Sequence, residues 1–294
     1  MGTSSIQGTE HVERRISRGG HELYVCDYAG ESPAFVLMHG FPDNLQIYDE
    51  VAPKLAAAGR RVITFDFSGY GKSDKPSDYL HSAHSMVGDL DAVVEGLSLS
   101  KVVLVAHDAS GPTAINWALD NREKVAGLEL MNVYYDPAPT LKIPEMIWLF
   151  ADPDHREICQ ALINEPAQLL WLAGFQGRQF ARNAPEELRG LAGQKLLSIM
   201  REQFTATPGT GPAFLALTGD LRHSLAENER RKGELVNVEF PVRLIWGAGD
   251  PYLNMGVAQH LKGHFSNAEI TPLMAGHWPQ IDKPGEVAKL LLHL

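Results

Sequence analysis

Four short apolar runs, spaced along the first half of the chain, constrain its fold more than any other feature. They are Ala34–Met38, Arg61–Phe65, Lys101–Ala106 and Val125–Met131. Each is strand-length, rich in β-branched or large apolar residues, and bounded by turn residues. Runs that are apolar on both faces belong to parallel strands with helices on either side. Helical patterns stand between them, over about 47–58, 83–97 and 110–121, the first closed by Gly59. Two alternating segments around Gly19-Gly20 predict a β-hairpin, and residues 1–13 read as a loose tail.

The rhythm then stops. Residues 134–236 hold no convincing buried strand and read as several helices punctuated by prolines. It resumes with a strand at Val242–Trp246, a helix over 256–264, a strand at Ala268–Thr271 and a closing helix over 280–294. The expected fold class is α/β, a mostly parallel sheet flanked by helices, made of residues 14–133 and 237–294. A helical unit, 134–236, is inserted before the penultimate core strand.

A chain of 294 residues buries a sufficient core without metal or disulfide staples. The net charge of −10, from 26 basic and 36 acidic residues, repels phosphate backbones and argues against nucleic-acid binding. The two cysteines, Cys26 and Cys159, make neither a disulfide framework nor a metal-binding spacing. No apolar run approaches the ~18 residues of a membrane span, and the polar N-terminus has no signal-peptide character. A cytoplasmic protein that neither enters a membrane nor needs a metal or organic cofactor is expected; the oligomeric state stays open.

In open parallel sheets the chemistry sits beyond the carboxyl ends of the strands. Four such ends carry unusual residues. Ala106-His107-Asp108-Ala109-Ser110-Gly111 has the small-x-nucleophile-x-small layout of a strand-to-helix elbow, with Asp108 at the nucleophile position. Two other readings exist: Ser110 as nucleophile, or Asp108 as a plain helix cap. Asp250, in Gly249-Asp250-Pro251, follows one strand, and His277, in Gly276-His277-Trp278, follows the last. Their order, acid then histidine, is that of hydrolase triads. His39-Gly40-Phe41-Pro42 follows the first parallel strand, where backbone N–H groups of Phe41 and Ala109 make an oxyanion hole. His39 is expected to orient its loop, and His107 to point into the scaffold.

Taken with Asp66-Phe-Ser-Gly-Tyr-Gly-Lys-Ser-Asp74, these motifs resemble the α/β-hydrolase fold, and within it the branch with an aspartate nucleophile. Haloalkane dehalogenases, fluoroacetate dehalogenases and epoxide hydrolases belong to that branch. The resemblance runs from about residue 15 to the end. It implies that 134–236 is a cap closing over Asp108.

An aspartate is ionised at neutral pH without help. Its attack on a carbonyl gives a reactive anhydride, whereas attack on a saturated carbon with a leaving group gives a stable ester. The expected reaction is therefore an Asp108 alkyl ester, hydrolysed by water that His277, oriented by Asp250, activates. The substrate is a small apolar molecule, and water is the second reactant. Haloalkane dehalogenation is the first expectation, with Trp148, Trp171 and Tyr135 as substrate or halide contacts. Departures from the family pattern are Ala109 where a halide-binding Trp commonly follows the nucleophile, and no tyrosine between 136 and 251 for an epoxide oxygen. Ala109 and Thr113 also replace arginines that fluoroacetate dehalogenases use for a carboxylate. Asn132 stands where some dehalogenases place the acid and cannot serve as one, which makes Asp250 the better choice; contact with a water or a halide is a minor reading of Asn132. Epoxide hydrolysis is the alternative; a capped pocket that only binds an apolar ligand is the alternative of another class. Phe41, Leu149, Phe150, Phe175 and Trp278 complete the candidate pocket.

Overall fold

The structure is a computed structural model, and it describes residues 3–6, 9–183, 186 and 190–293. Nine strands form one sheet: β1 (Thr3–Ile6), β2 (Thr9–Arg18), β3 (His21–Tyr28), β4 (Glu31–Met38), β5 (Arg60–Phe65), β6 (Val102–Asp108), β7 (Val125–Val133), β8 (Val242–Gly247) and β9 (Ala268–Leu273). Their order is β1-β2-β3-β5-β4-β6-β7-β8-β9. The pairs from β1 to β5 are antiparallel and the rest, from β5–β4 onward, are parallel.

Alternation along the parallel strands divides the core into two layers. Val36, Leu104, Leu130 and Leu244 face the helices α2 (Ala83–Gly96), α3 (Ser110–Asp120) and α9 (Met255–Lys262). Leu37, Val103, Val105 and Ile245 face α1 (Ala52–Ala57) and α11 (Pro284–Leu292) on the other side. Between β7 and β8 the chain makes α4 (Glu145–Ala151), α5 (Arg156–Ile163), α6 (Pro166–Phe180), α7 (Leu191–Thr205) and α8 (Gly211–Arg231). These five pack around a core of their own, including Met146, Phe150, Cys159, Leu169, Phe204 and Phe214. No strand occurs among the described residues between β7 and β8. Among the described residues, no helix is long and apolar enough to cross a membrane.

Three local expectations change. The tail expected over 1–13 contains β1 and the first half of β2; β2 pairs antiparallel with β3 from Val12↔Asp27 to Arg18↔His21. Only His11 and Ile16 of its residues 10–18 are fully buried, so this outer strand carries almost no apolar signal. The helix expected over 47–58 is a 3₁₀ turn, Leu45–Tyr48, followed by α1, whose second residue is Pro53. Proline lacks the N–H needed inside a helix and fits its first turn, so a new helix starts there. Pro284 likewise divides the closing helix into α10 (Pro279–Asp282) and α11.

Candidate active site

Asp108 ends β6 with φ at +52°, a left-handed conformation uncommon for a residue with a side chain. The β6–β7 register shifts between His107 and Asp108, so the strand breaks where the side chain turns upward. The tight turn depends on small neighbours. A Cβ on Gly111 would lie 2.5 Å from Cβ of Val133. Ser110 is fully buried; its hydroxyl accepts from His107 N–H at 3.0 Å and lies 3.0 Å from Met38 O and 2.8 Å from His107 O. It ties the elbow to β4 and is not presented to the cavity.

The loop after β4 is placed against the elbow. His39 is buried; Phe67 N–H donates to its Nε2 at 3.1 Å, so Nδ1 carries the proton and donates to Gly40 O at 2.7 Å. Burial holds its pKa down at about 4. The 66–74 loop buttresses this arrangement: Asp66 accepts from Leu45 N–H and Lys72 N–H, each at 2.8 Å. Tyr70 of that loop packs its ring 4.6 Å from that of Phe41. Phe41 N–H donates to Asp108 Oδ2 at 3.2 Å, and Ala109 N–H is a second donor to the same carboxylate.

Gly40 is required by proximity, since a Cβ there would stand 2.6 Å from Cβ of Asp108 and 2.8 Å from its Oδ2. Gly40→Ala is expected to lower turnover at least about 100-fold, because displacing the Phe41 donor by about 1 Å is enough for that loss. An unchanged circular dichroism spectrum together with unchanged turnover would show that the loop tolerates the shift.

His277 lies beyond β9. Its Nδ1 is 2.6 Å from Asp250 Oδ2, and its Nε2 faces Asp108 Oδ1 at 3.8 Å. Asp250 is buried and surrounded by donors: Tyr252 N–H at 2.8 Å and Leu253 N–H at 3.1 Å on Oδ1, and the Asn132 amide at 2.9 Å on Oδ2. The carboxylate therefore fixes the proton of His277 on Nδ1 and leaves the Nε2 lone pair directed at Asp108. Burial opposes a charge on His277, but Asp250, through charge and hydrogen bond, and Asp108 raise its pKa above the ordinary 6.5. Burial raises the pKa of Asp108, against the pull of His277 and the two backbone N–H groups.

Behind the histidine lies a buried group that the sequence did not bring forward. Asp43 accepts from Trp278 Nε1–H at 3.0 Å and stands 3.8 Å from His107 Nδ1. Burial pushes its pKa up to about 7. His107 points into the scaffold, its Nε2 2.8 Å from His277 O, and burial keeps it neutral.

A cavity of about 380 Å³ opens over these groups. Its walls are mostly apolar, with Phe41, Ile147, Leu217 and Trp278 among them, and Asp108, Ala109 and His277 at its floor. The positions expected for leaving-group contacts fall elsewhere. Trp148 is 50% exposed on the outer face of α4, under the Arg222 guanidinium. Trp171 is 67% exposed, stacked on Phe175. Tyr135 is buried, with its hydroxyl donating to Asn116 Oδ1 at 2.9 Å. Neither these nor Leu149, Phe150 and Phe175 line the cavity; Tyr134 does. The Tyr134 hydroxyl makes no hydrogen bond to any described residue. Burial, then the charges of Asp108 and Asp220, raise its pKa and keep it protonated. Asn132 sits under Asp250 and does not line the cavity; it also accepts from Gly247 N–H at 2.7 Å.

Residues 33–284 match the family model of the alpha/beta hydrolase fold. Epoxide hydrolase 3 of Xenopus tropicalis is 28% identical over 305 residues, 98% of this chain and 78% of that protein. A fluoroacetate dehalogenase of a Burkholderia species is 35% identical over 128 residues, 42% of each chain. Among solved structures, an alpha/beta hydrolase fold protein of Burkholderia ambifaria superposes with a TM-score of 0.77 at 24% identity, over 97% of this chain and 100% of the other, a likeness of fold. The chain is a hydrolase and belongs to the alpha/beta hydrolase fold family.

Proposed function

We propose that the protein hydrolyses small apolar epoxides through an ester of Asp108, with the unit 134–236 acting as a cap over the core units 14–133 and 237–294. The observation that carries this reading is the carboxylate of Asp108 itself. One oxygen is held by Phe41 N–H and the other faces an imidazole lone pair within a mostly apolar cavity.

Asp108 Oδ1 attacks a ring carbon and opens the C–O bond; the epoxide oxygen takes a proton from the Tyr134 hydroxyl. Oδ2 remains in the oxyanion hole as the ester carbonyl oxygen. His277 Nε2 then removes a proton from water, which attacks Cγ of Asp108. The negative charge that develops on Oδ2 is met by the N–H groups of Phe41 and Ala109. Collapse of that intermediate expels the ester oxygen, which takes the proton held on His277 Nε2 and leaves as the second hydroxyl of a diol. The proton remaining on the new Asp108 carboxyl then passes by way of His277 to the Tyr134 phenolate, which restores the carboxylate, the neutral imidazole and the phenol.

Two features favour an epoxide over a haloalkane. Trp148 and Trp171 are turned away from the cavity, so the indole N–H donors expected for a halide are missing from it. Tyr134 supplies what an alkoxide needs and a halide does not. The name carried by the relative from Xenopus tropicalis agrees. A carboxylate substrate such as a haloacid has no arginine to meet at 109 or 113.

The test is intact-protein mass spectrometry of His277→Phe, exposed separately to pools of terminal epoxides and of haloalkanes. A gain equal to the whole epoxide, mapped to Asp108, is expected. A gain equal to a bare alkyl group would establish dehalogenation instead. No adduct from either pool, with no turnover by the unaltered protein, would leave a binding protein. Tyr134→Phe is expected to slow ester formation from an epoxide by about 100-fold, the lower range for a general acid. An equal rate in stopped-flow alkylation would remove Tyr134 from the mechanism.

A further inference from the structure

Away from the cavity, three side chains converge on one point. His260, in the last turn of α9, and His264, four residues later, both direct Nε2 at the carboxylate of Asp136, which lies in the segment leaving β7. The distances to Asp136 Oδ2 are 2.9 Å from His260 and 3.1 Å from His264, and the two Nε2 atoms are 3.3 Å apart. All three ligand atoms lie within 4.8 Å of one another. Asp136 is buried and both histidines are half-buried.

We propose that Asp136, His260 and His264 form a structural site for a divalent transition metal, of which Zn²⁺ suits the donors best. Three atoms bonded to one ion at about 2.0–2.1 Å, at the separations observed, subtend angles of about 90 to 107°, within the range of a three-ligand zinc centre whose remaining positions hold water. Two imidazoles and one carboxylate are donors that Zn²⁺ takes readily, while Mg²⁺ and Ca²⁺ prefer oxygen alone. Hydrogen bonding explains the cluster less completely. Two Nε2–H groups can each donate to Asp136, but their mutual 3.3 Å approach is then a contact between two donors. In the metal complex all three groups offer lone pairs to one ion. The end of α9 adds carbonyl dipoles that favour a cation. Lys232 Nζ, 3.7 Å from Asp136 Oδ2, competes with the ion, but Glu229 already holds it on the other side.

The ion would join two segments that are otherwise tied by hydrogen bonds between loops, such as Asn254 Nδ2–H to Thr140 O at 2.7 Å. One segment leads from Tyr134 into the helices over the cavity; the other follows Asp250. The site thus clamps the base of the helical insertion to the core, without touching the reacting atoms.

The experiment is titration of the untagged, chelator-dialysed full chain with Co²⁺, read from its visible absorption bands, followed by displacement with Zn²⁺. One equivalent is expected, with affinity at least about 100-fold weaker in His264→Ala and in Asp136→Asn. Loss of the exposed His155 in His155→Ala should leave it unchanged. Zn²⁺ should also raise the unfolding midpoint of the unaltered chain and not that of His264→Gln, a variant that keeps a polar side chain of similar reach. Absence of a stoichiometric band, or a band that survives in Asp136→Asn and His264→Ala, would overturn the site. Neither result depends on the substrate being an epoxide.

Discussion

Asp108→Ala is expected to abolish turnover and ester formation together, by about 10⁵-fold or more, and to leave the protein no less stable than before. The chemical loss is total because no neighbouring group can replace the carboxylate. Ser110, the other elbow residue with an oxygen, spends its hydroxyl on Met38 O and His107 O beneath the turn. The stability outcome follows from what the site costs. A desolvated anion is held near Asp250 and Asp43, and burial raises its pKa. Its backbone sits at φ +52°, a conformation costing a non-glycine residue roughly 1–2 kcal/mol. Alanine removes the buried charge and keeps the strain; Asp108→Gly removes both. The expected order of unfolding midpoints is Asp108→Gly above Asp108→Ala above the unaltered chain, each step a few degrees at most, since 1 kcal/mol moves a domain of this size by about 2–4 °C. Calorimetry with a product assay reads both. A variant that keeps measurable turnover would show that Asp108 is not the nucleophile. One that is inactive but markedly less stable would show that the carboxylate holds the elbow together.

The elements that make this site were unequally legible. β4, β6, β7 and β8 announce themselves as apolar runs because parallel strands are buried on both faces, and two of the candidate site residues, Asp108 and Asp250, sit at or just past the ends of β6 and β8. β2 does not, because an antiparallel strand near the sheet edge buries little beyond His11 and Ile16. The pocket contacts were read least well, for a geometric reason. Ile147 lines the cavity, while Trp148, one residue further, is rotated by about 100° around α4 and meets Arg222 instead. Tyr134 and Tyr135 are neighbours just past the end of β7, yet Tyr134 lines the cavity and Tyr135 bonds Asn116, so choosing between them needs the path of that segment. Asn132 carries no motif that marks it as the partner of an acid more than a hundred residues away. His260 and His264 show helical i, i+4 spacing, yet Asp136, which completes the set, is brought to them only by the sheet.

Asp250→Asn tests the histidine assignment, with turnover expected to fall by about 10⁴-fold, the scale on which a triad histidine loses its function in the wrong tautomer. The donors around Asp250 decide how the amide must sit. Its Oδ1 side faces the N–H groups of Tyr252 and Leu253, so an amide nitrogen cannot go there. Placed on the Oδ2 side, it meets the Asn132 amide and His277 Nδ1. Asn132 cannot turn its oxygen toward the new group without losing the N–H of Gly247, which that oxygen accepts at 2.7 Å. His277 must then offer a lone pair at Nδ1 and carry its proton on Nε2, where it cannot accept one from water. Ester formation needs no base, so the ester should accumulate, with burst amplitude near one per chain and a slow second phase. The pH profile separates this from general damage. His277 must be neutral to act, and Asp250 raises its pKa above 6.5. Hydrolysis of the ester should therefore fall as pH drops through a value above 6.5 in the unaltered enzyme. Without the Asp250 charge, whatever rate remains should hold to lower pH. Ester hydrolysis in Asp250→Asn that keeps its original acid limb would show that Asp250 does not set the protonation of His277.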